Sequence, residues 1–242
     1  SLQGRAIAVA MVGSPLALSL GVPAGTLLGQ QVGWRWAFAL MSVLGIGLLA
    51  YARWALPALP AAGAGQRTSL GTVWRMPGVR SALAVMALYV LAHNVLYTYI
   101  EPLAVDAGAG AWLDRLLLAF GVAAIVGIGI AGWGVDRHLR RLVWAAGVGF
   151  LLPVLALLLW PGAPGVLLPA TIVWGVAFGA VPTLFQTALA RRAGAAADLA
   201  QSMLVTGWNL AIAAGGVAGG VLLQAGGAGV LGWLPLLLLV VI

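Results

Sequence analysis

GWGVDRHLRRLV, residues 132–143, sets four charged side chains and a histidine in a chain of which only 7% is charged. The apolar runs on either side, 112–133 and 142–160, each come close to the roughly 20 residues a helix needs to cross a hydrocarbon core about 30 Å thick. The stretch therefore reads as a tight turn between two membrane spans, which makes the fold an all-α polytopic membrane protein. Its arginines are explained by topology alone, but Asp136 is not. A carboxylate there can cap the N-terminus of the following helix, or accept charge-assisted bonds from neighbouring guanidinium groups.

Composition agrees. The chain is 63% hydrophobic with a mean hydropathy of +1.08, whereas a soluble domain carries about 25% charged residues. It contains no cysteine, so a disulfide framework, a thiolate metal site and a cysteine nucleophile are excluded. Histidine occurs only at 93 and 138, too few imidazoles for a metal centre. The net charge of +7 comes from twelve arginines that sit between apolar runs and not along one face, so it reads as a topology signal and not as a nucleic-acid surface.

Measured against the length of a span, the apolar runs give helices near 6–28, 35–56, 79–103, 112–133, 142–160, 165–189, 200–223 and 229–242, about eight in all and the last one short. The Pro-, Ala- and Gly-rich stretch at 56–78 is the one long linker. It divides the chain into residues 1–56, a linker over 57–78 and a six-span bundle over 79–242. Arginines 5, 53, 67, 75, 80, 137, 140, 141, 191 and 192 fall at one set of loop ends. Arg35 and Arg115 fall at the other, with Glu101, Asp106 and Asp114. The positive-inside rule makes the first set cytoplasmic, and an even number of spans follows. Gly21, Gly25 and Gly29 in the first span, and Gly215, Gly216, Gly219 and Gly220 in the seventh, form small-residue ridges suited to close helix packing.

Gly132, Asp136, Arg137, Arg140 and Arg141 reproduce a Gly-x-x-x-Asp-Arg-x-x-Arg-Arg pattern between two membrane helices. That pattern resembles the loop signature of the major facilitator superfamily. Leu139 replaces the family's second glycine, as in the degenerate copy between helices 8 and 9. GRAIAVAMVGSPLALSLGVPAGTLLGQQVGWRWAF, residues 4–38, looks like helix 5 and the start of helix 6 in the drug/proton antiporter branch, which includes arabinose-efflux-like and purine-efflux permeases. Gly21, Pro23 and Gly25 match the core of that branch's antiporter motif, although Thr26 stands where its paired-glycine ending would begin. Residues 97–103 and 116–137 look like helices 7 and 8, 174–190 like helix 10, and 200–220 like helix 11. The resemblance implies helices 5 to 12 of a twelve-helix transporter, with helices 1 to 4 missing and required for transport. Residues 79 onward would then be two inverted three-helix repeats.

AHNVLYTYIEPL, residues 92–103, is the richest polar stretch within a span. At 100° per residue, Asn94, Tyr97 and Glu101 lie about 100°, 40° and 80° from His93, so the four share one face, and Tyr99 points elsewhere. Counted from Arg80, His93 is about 20 Å deep and Glu101 about 31 Å, at the outer mouth, which rules against a His–Glu catalytic pair. Ionisable residues within a membrane usually face a cavity or relay, and histidine changes charge near neutral pH. A neutral histidine bonded to another helix explains His93 equally well. Trp174, Gln186 and Asn209 are the other candidate pathway residues, each also readable as a packing or interhelical contact.

The resemblance implies a multi-pass secondary transporter. It would exchange protons for small molecules such as drugs, sugars or nucleosides across a bacterial inner membrane, with no cofactor and no nucleic-acid partner. Asp136 and the loop arginines would latch its cytoplasmic side. The Lys-free, Ala/Gly/Arg-rich composition fits a GC-rich bacterial genome. A membrane-embedded enzyme acting on a lipid-linked substrate is an alternative of a different class, although no Asp-rich or paired His/Asp motif stands at a membrane face. An inactive truncated scaffold is the other alternative.

Overall fold

The computed structural model describes residues 25, 28–29, 31–55 and 68–242, and every regular element among them is helical. The expected first span, with Gly21 and Pro23, lies outside the described residues. Residues 1–67 and 68–242 form two compact units. In the first, α1 (Trp34–Ala55) follows Gly33, which has the left-handed φ of 100°. Its 22 residues reach about 33 Å, enough to cross a bilayer.

The second unit begins with α2 (Leu70–Trp74), capped by the Ser69 hydroxyl, which accepts from the Thr72 amide at 3.1 Å. Buried Val73 docks this helix on the core. The expected single span over 79–103 is instead α3 (Val79–Tyr97) and α4 (Ile100–Asp106), broken at Thr98–Tyr99. Pro102 explains the break: it has no amide hydrogen, and its ring clashes with the carbonyl four residues back, at Thr98. The face count from His93 to Glu101 therefore does not hold beyond Tyr97.

The expected 132–143 loop is also more helical than its sequence suggests. α5 (Leu113–Leu159) runs through it, and His138 alone leaves helical geometry, at φ −129° and ψ 26°. The chain nevertheless reverses there. A straight helix would hold Gly127 and Gly149 about 33 Å apart, yet a methyl at Gly127 would touch the Val176 carbonyl and one at Gly149 would lie 3.2 Å from Ala177. Across the turn, Gly134 faces Leu142, its added methyl 3.1 Å from that side chain. α5 is thus two antiparallel arms, 113–137 and 139–159.

α6 (Pro164–Ala193) and α7 (Ala197–Gly226) are a second antiparallel pair, turned at Gly194, φ 54°. The Gln201 amide spans that turn, donating to the Gln186 carbonyl at 2.8 Å. A tight turn at 228–230 leads to α8 (Trp233–Val241), only nine residues long. Among the described residues, Trp34–Ala55, Val79–Tyr97, Gly110–Leu159 and Pro164–Gly226 are long and apolar enough to cross a membrane, and the last two are the doubled segments.

Glycine sets the packing. Added methyls at Gly127 and Gly179 would collide with the Val176 and Ala124 carbonyls, and one at Gly175 would lie 2.7 Å from the Phe120 carbonyl. Backbone here touches backbone, between the first arm of α5 and α6. The Gly215–Gly219 ridge does the same between α7 and α3, where it receives Asn94, Val95 and Tyr99. The Tyr99 hydroxyl donates to the Gly216 carbonyl at 2.7 Å.

Gly179→Val should therefore cost about 1–3 kcal/mol of overpacking. Gly129→Val, at a position with nothing within 4 Å of an added methyl, should be close to neutral. Thermal unfolding in detergent compares the two, and equal melting temperatures would refute the contact.

Candidate functional site

His93 is 4% exposed and stands one turn before Tyr97 on α3. The Trp174 indole on α6 donates to His93 Nδ1 at 3.1 Å. That nitrogen therefore presents its lone pair, and a neutral ring carries its hydrogen on Nε2. Phe178, one helical turn beyond Trp174, stacks on the imidazole with centroids 3.5 Å apart and planes 11° from parallel. Tyr97 stacks on the imidazole at 5.1 Å, and Phe120 from the first arm of α5 stands at 5.8 Å. Phe150 from the second arm is edge-on at 6.4 Å and lies parallel to Trp174, 5.5 Å away. Four crossing segments thus place rings around one polar contact.

The shell extends in both directions. Trp208 on α7 meets Phe178 at 6.2 Å. Tyr89 packs on Phe150 at 5.2 Å and donates its hydroxyl to the Ala146 carbonyl at 3.1 Å. Edge-to-face and offset pairs of this kind add about 0.5–1.5 kcal/mol each beyond area burial. The arrangement supplies flat apolar faces and one buried hydrogen-bond pair.

The structure brings together His93, Tyr97 and Trp174 of the expected pathway residues. Asn94 turns away, its amide donating to the Val90 carbonyl at 2.8 Å and its Cβ packed on Gly215. Glu101 is exposed on α4 beyond the helix break. Half-buried Gln186 offers its backbone carbonyl to Gln201, and exposed Asn209 bonds the Val205 carbonyl of its own helix at 2.8 Å. Phe120, Phe150, Phe178 and Trp208 were not singled out in the sequence. The available signal was that Phe178 follows Trp174 at helical spacing and that phenylalanine occurs only five times.

At the other end of α6, Arg191 donates to the Asp136 carboxylate at 2.9 Å and to its carbonyl at 3.3 Å. This corrects two expectations. Asp136 does not cap the second arm, because its carboxylate accepts from Arg191 and from no backbone amide. Its partner is Arg191 and not a loop arginine. Arg137, Arg140 and Arg141 are exposed, as is Gly132. The side chains of the pair are 45% and 87% exposed, so the contact positions the turn against α6 and contributes at most about 1 kcal/mol. Among the described residues, no cluster of three or more metal-ligating side chains occurs.

A family model, the Major Facilitator Superfamily, matches residues 1–199. The chain is also similar to the purine ribonucleoside efflux pump NepI of Salmonella typhimurium (strain LT2), Salmonella typhi and Salmonella paratyphi C. Each is 28% identical over 219 residues, which cover 89% of this chain and 55% of the relative. The chain thus spans about half the length of the curated relatives it matches.

Trp174→Phe keeps the ring and deletes the donor, so it leaves His93 Nδ1 buried and unpaired and should cost about 1–3 kcal/mol. Asp136→Asn, at the exposed pair, should cost no more than about 1 kcal/mol. A thermal melt of both variants in detergent checks the ranking, and the reverse order would reject it.

Proposed function

We propose, from the premise that this chain belongs to the major facilitator superfamily, that it works in secondary transport, exporting small molecules in exchange for protons by alternating access. Family membership also sets it among transporters and apart from enzymes. It is a multi-pass integral membrane protein, and we assign it to a bacterial cytoplasmic membrane. In this reading, residues 1–56 supply the last two helices of one bundle, 57–78 link the bundles on the cytoplasmic side, and 79–242 are the second bundle. Gly21, Pro23 and Gly25 belong to the antiporter-type helix.

The observation that carries the reading is His93, the one buried histidine among the described residues, held among rings from four crossing segments in a chain matched by this family. His93 contacts the proton or the substrate. Trp174 holds its Nδ1, the one nitrogen free to take a proton, so protonation of the imidazole requires that bond to break. Tyr97 and Phe178 provide stacking faces, which suit flat heteroaromatic solutes better than sugars. Purine nucleosides are the first to test, because the relatives are named for exporting them. Asn94, Gln186 and Asn209 line the route as the halves rock, and Glu101 stands at its outer mouth. Asp136, with Arg191, latches the cytoplasmic side.

Inside-out vesicles carrying the chain together with the four helices that the resemblance places before it should take up labelled inosine when their lumen is acidic, and a protonophore should abolish the uptake. His93→Ala should flatten the pH profile, since it removes the one histidine in the core. Uptake that ignores the gradient would overturn proton exchange, and an unchanged profile in the variant would overturn the role of His93.

A further inference from the structure

The bond from Trp174 settles what the His93 imidazole offers to anything beside it. An indole can only donate, so its contact with Nδ1 at 3.1 Å obliges that nitrogen to accept, and the one hydrogen of the neutral ring stands on Nε2. Moving the hydrogen to Nδ1 would set two N–H groups against each other across that distance. Protonation adds a hydrogen at Nδ1 and leaves the one on Nε2 in place. Nε2 is therefore a donor in both charge states and an acceptor in neither. Among the described residues no side chain or carbonyl accepts from it, and no buried side-chain nitrogen or oxygen there lacks a partner, so Nε2 lies at an edge of the ring shell and is not sealed within it.

The rest of the shell has the same polarity. Of the rings around His93, only Tyr97 carries an atom that can accept as well as donate. Trp208, half-buried against Phe178, carries a second indole donor, and the Asn94 amide is committed to the Val90 carbonyl. Orientation agrees with polarity. An imidazole N–H lies in the ring plane, and a trigonal acceptor prefers the hydrogen near its own plane. The Phe178 and Tyr97 rings are 11° and 20° from the imidazole plane. A flat solute that accepts edge-on from Nε2 is thereby turned near-parallel to both rings, so one orientation satisfies the hydrogen bond and the stacking.

We propose that the solute accepts a hydrogen bond from His93 Nε2, which makes an in-plane acceptor, a ring nitrogen or a carbonyl oxygen, the feature selected, and that Trp174 is the positioning residue that sets this polarity. The inference rests on the reading above that His93 meets the solute. A site built around a buried donor rejects an analogue that leaves the donor unpaired, whereas stacking faces accept any flat ring of the same shape. The indole bond also polarises the imidazole, which strengthens Nε2–H as a donor.

The test is equilibrium binding of labelled inosine to the chain joined to the four helices that the resemblance places before it, competed by unlabelled analogues. The 3-deaza and 7-deaza forms of inosine each replace one ring-nitrogen acceptor by C–H, and purine riboside lacks the carbonyl. One of the three should compete roughly tenfold more weakly than inosine, which corresponds to about 1.4 kcal/mol for one donor left unpaired. In His93→Phe, which keeps a ring and deletes the donor, the same analogue should match inosine. Trp174→Phe, which lets Nδ1 carry the hydrogen, should reduce the loss to about threefold or less. Nitrogen NMR of protein labelled at its histidine ring nitrogens, in a His138→Gln background that leaves His93 alone, should show Nε2 protonated and Nδ1 bare, with a second tautomer appearing once Trp174→Phe is added. Three analogues that all match inosine, a loss that persists in His93→Phe, or a hydrogen on Nδ1 beside an intact Trp174 would each overturn the proposal and leave inosine binding standing. Absence of inosine binding would remove the reading of the site, and this inference with it.

Discussion

The contact between the first arm of α5 and α6 fixes everything else in the second unit. Hydrocarbon offers no hydrophobic gain for pressing one apolar helix on another, so close association depends on surfaces that let backbones meet. Gly127, Gly175 and Gly179 provide one, bringing the carbonyls of Phe120, Ala124 and Val176 against glycine α-carbons. Because Gly175 and Gly179 alternate along α6 with Trp174 and Phe178, the same contact delivers Phe120 to the far side of the indole. The second arm of α5 then closes Phe150 against Trp174 from the other direction.

His93 is polar in a place where polarity is costly, and its environment answers that cost in one way. A buried group without a partner loses the whole of its desolvation energy, whereas a paired one is near break-even. The Trp174 indole supplies the partner, and the stacked rings exclude competing water. The interaction that stabilises the imidazole thus also fixes which nitrogen is available to anything that enters. A structural reading and a transport reading of His93 therefore rest on the same bond, and they diverge only when the rings separate.

Periodicity and span length made much of this legible. The expected spans over 35–56, 165–189 and 200–223 meet helices at 34–55, 164–193 and 197–226, and the glycine ridge on α7 likewise follows from local sequence. What was missed depends on nonlocal partners. Pro102 lies within the expected span over 79–103, and the break it causes falls at Thr98–Tyr99, because its ring acts on a carbonyl four residues earlier. The 132–143 segment looked like a loop, since its charges resemble a solvated turn, yet one residue suffices to reverse the chain. Rings that are isolated in sequence, Phe120, Phe150 and Phe178, gain meaning only once α3, α5 and α6 are placed together.

The two ends of α6 differ in how easily they let go. At Gly175 and Gly179 the contact is backbone on backbone, with no side-chain rotamer on α6 to relieve it. At Arg191 the contact is an exposed ion pair, which water replaces at little cost. If the second unit rocks during a transport cycle, the glycine seam carries the motion and the Asp136–Arg191 pair yields to it. A weak bond at this turn is then a requirement of the cycle, since a latch of several kcal/mol would hold the protein in one state.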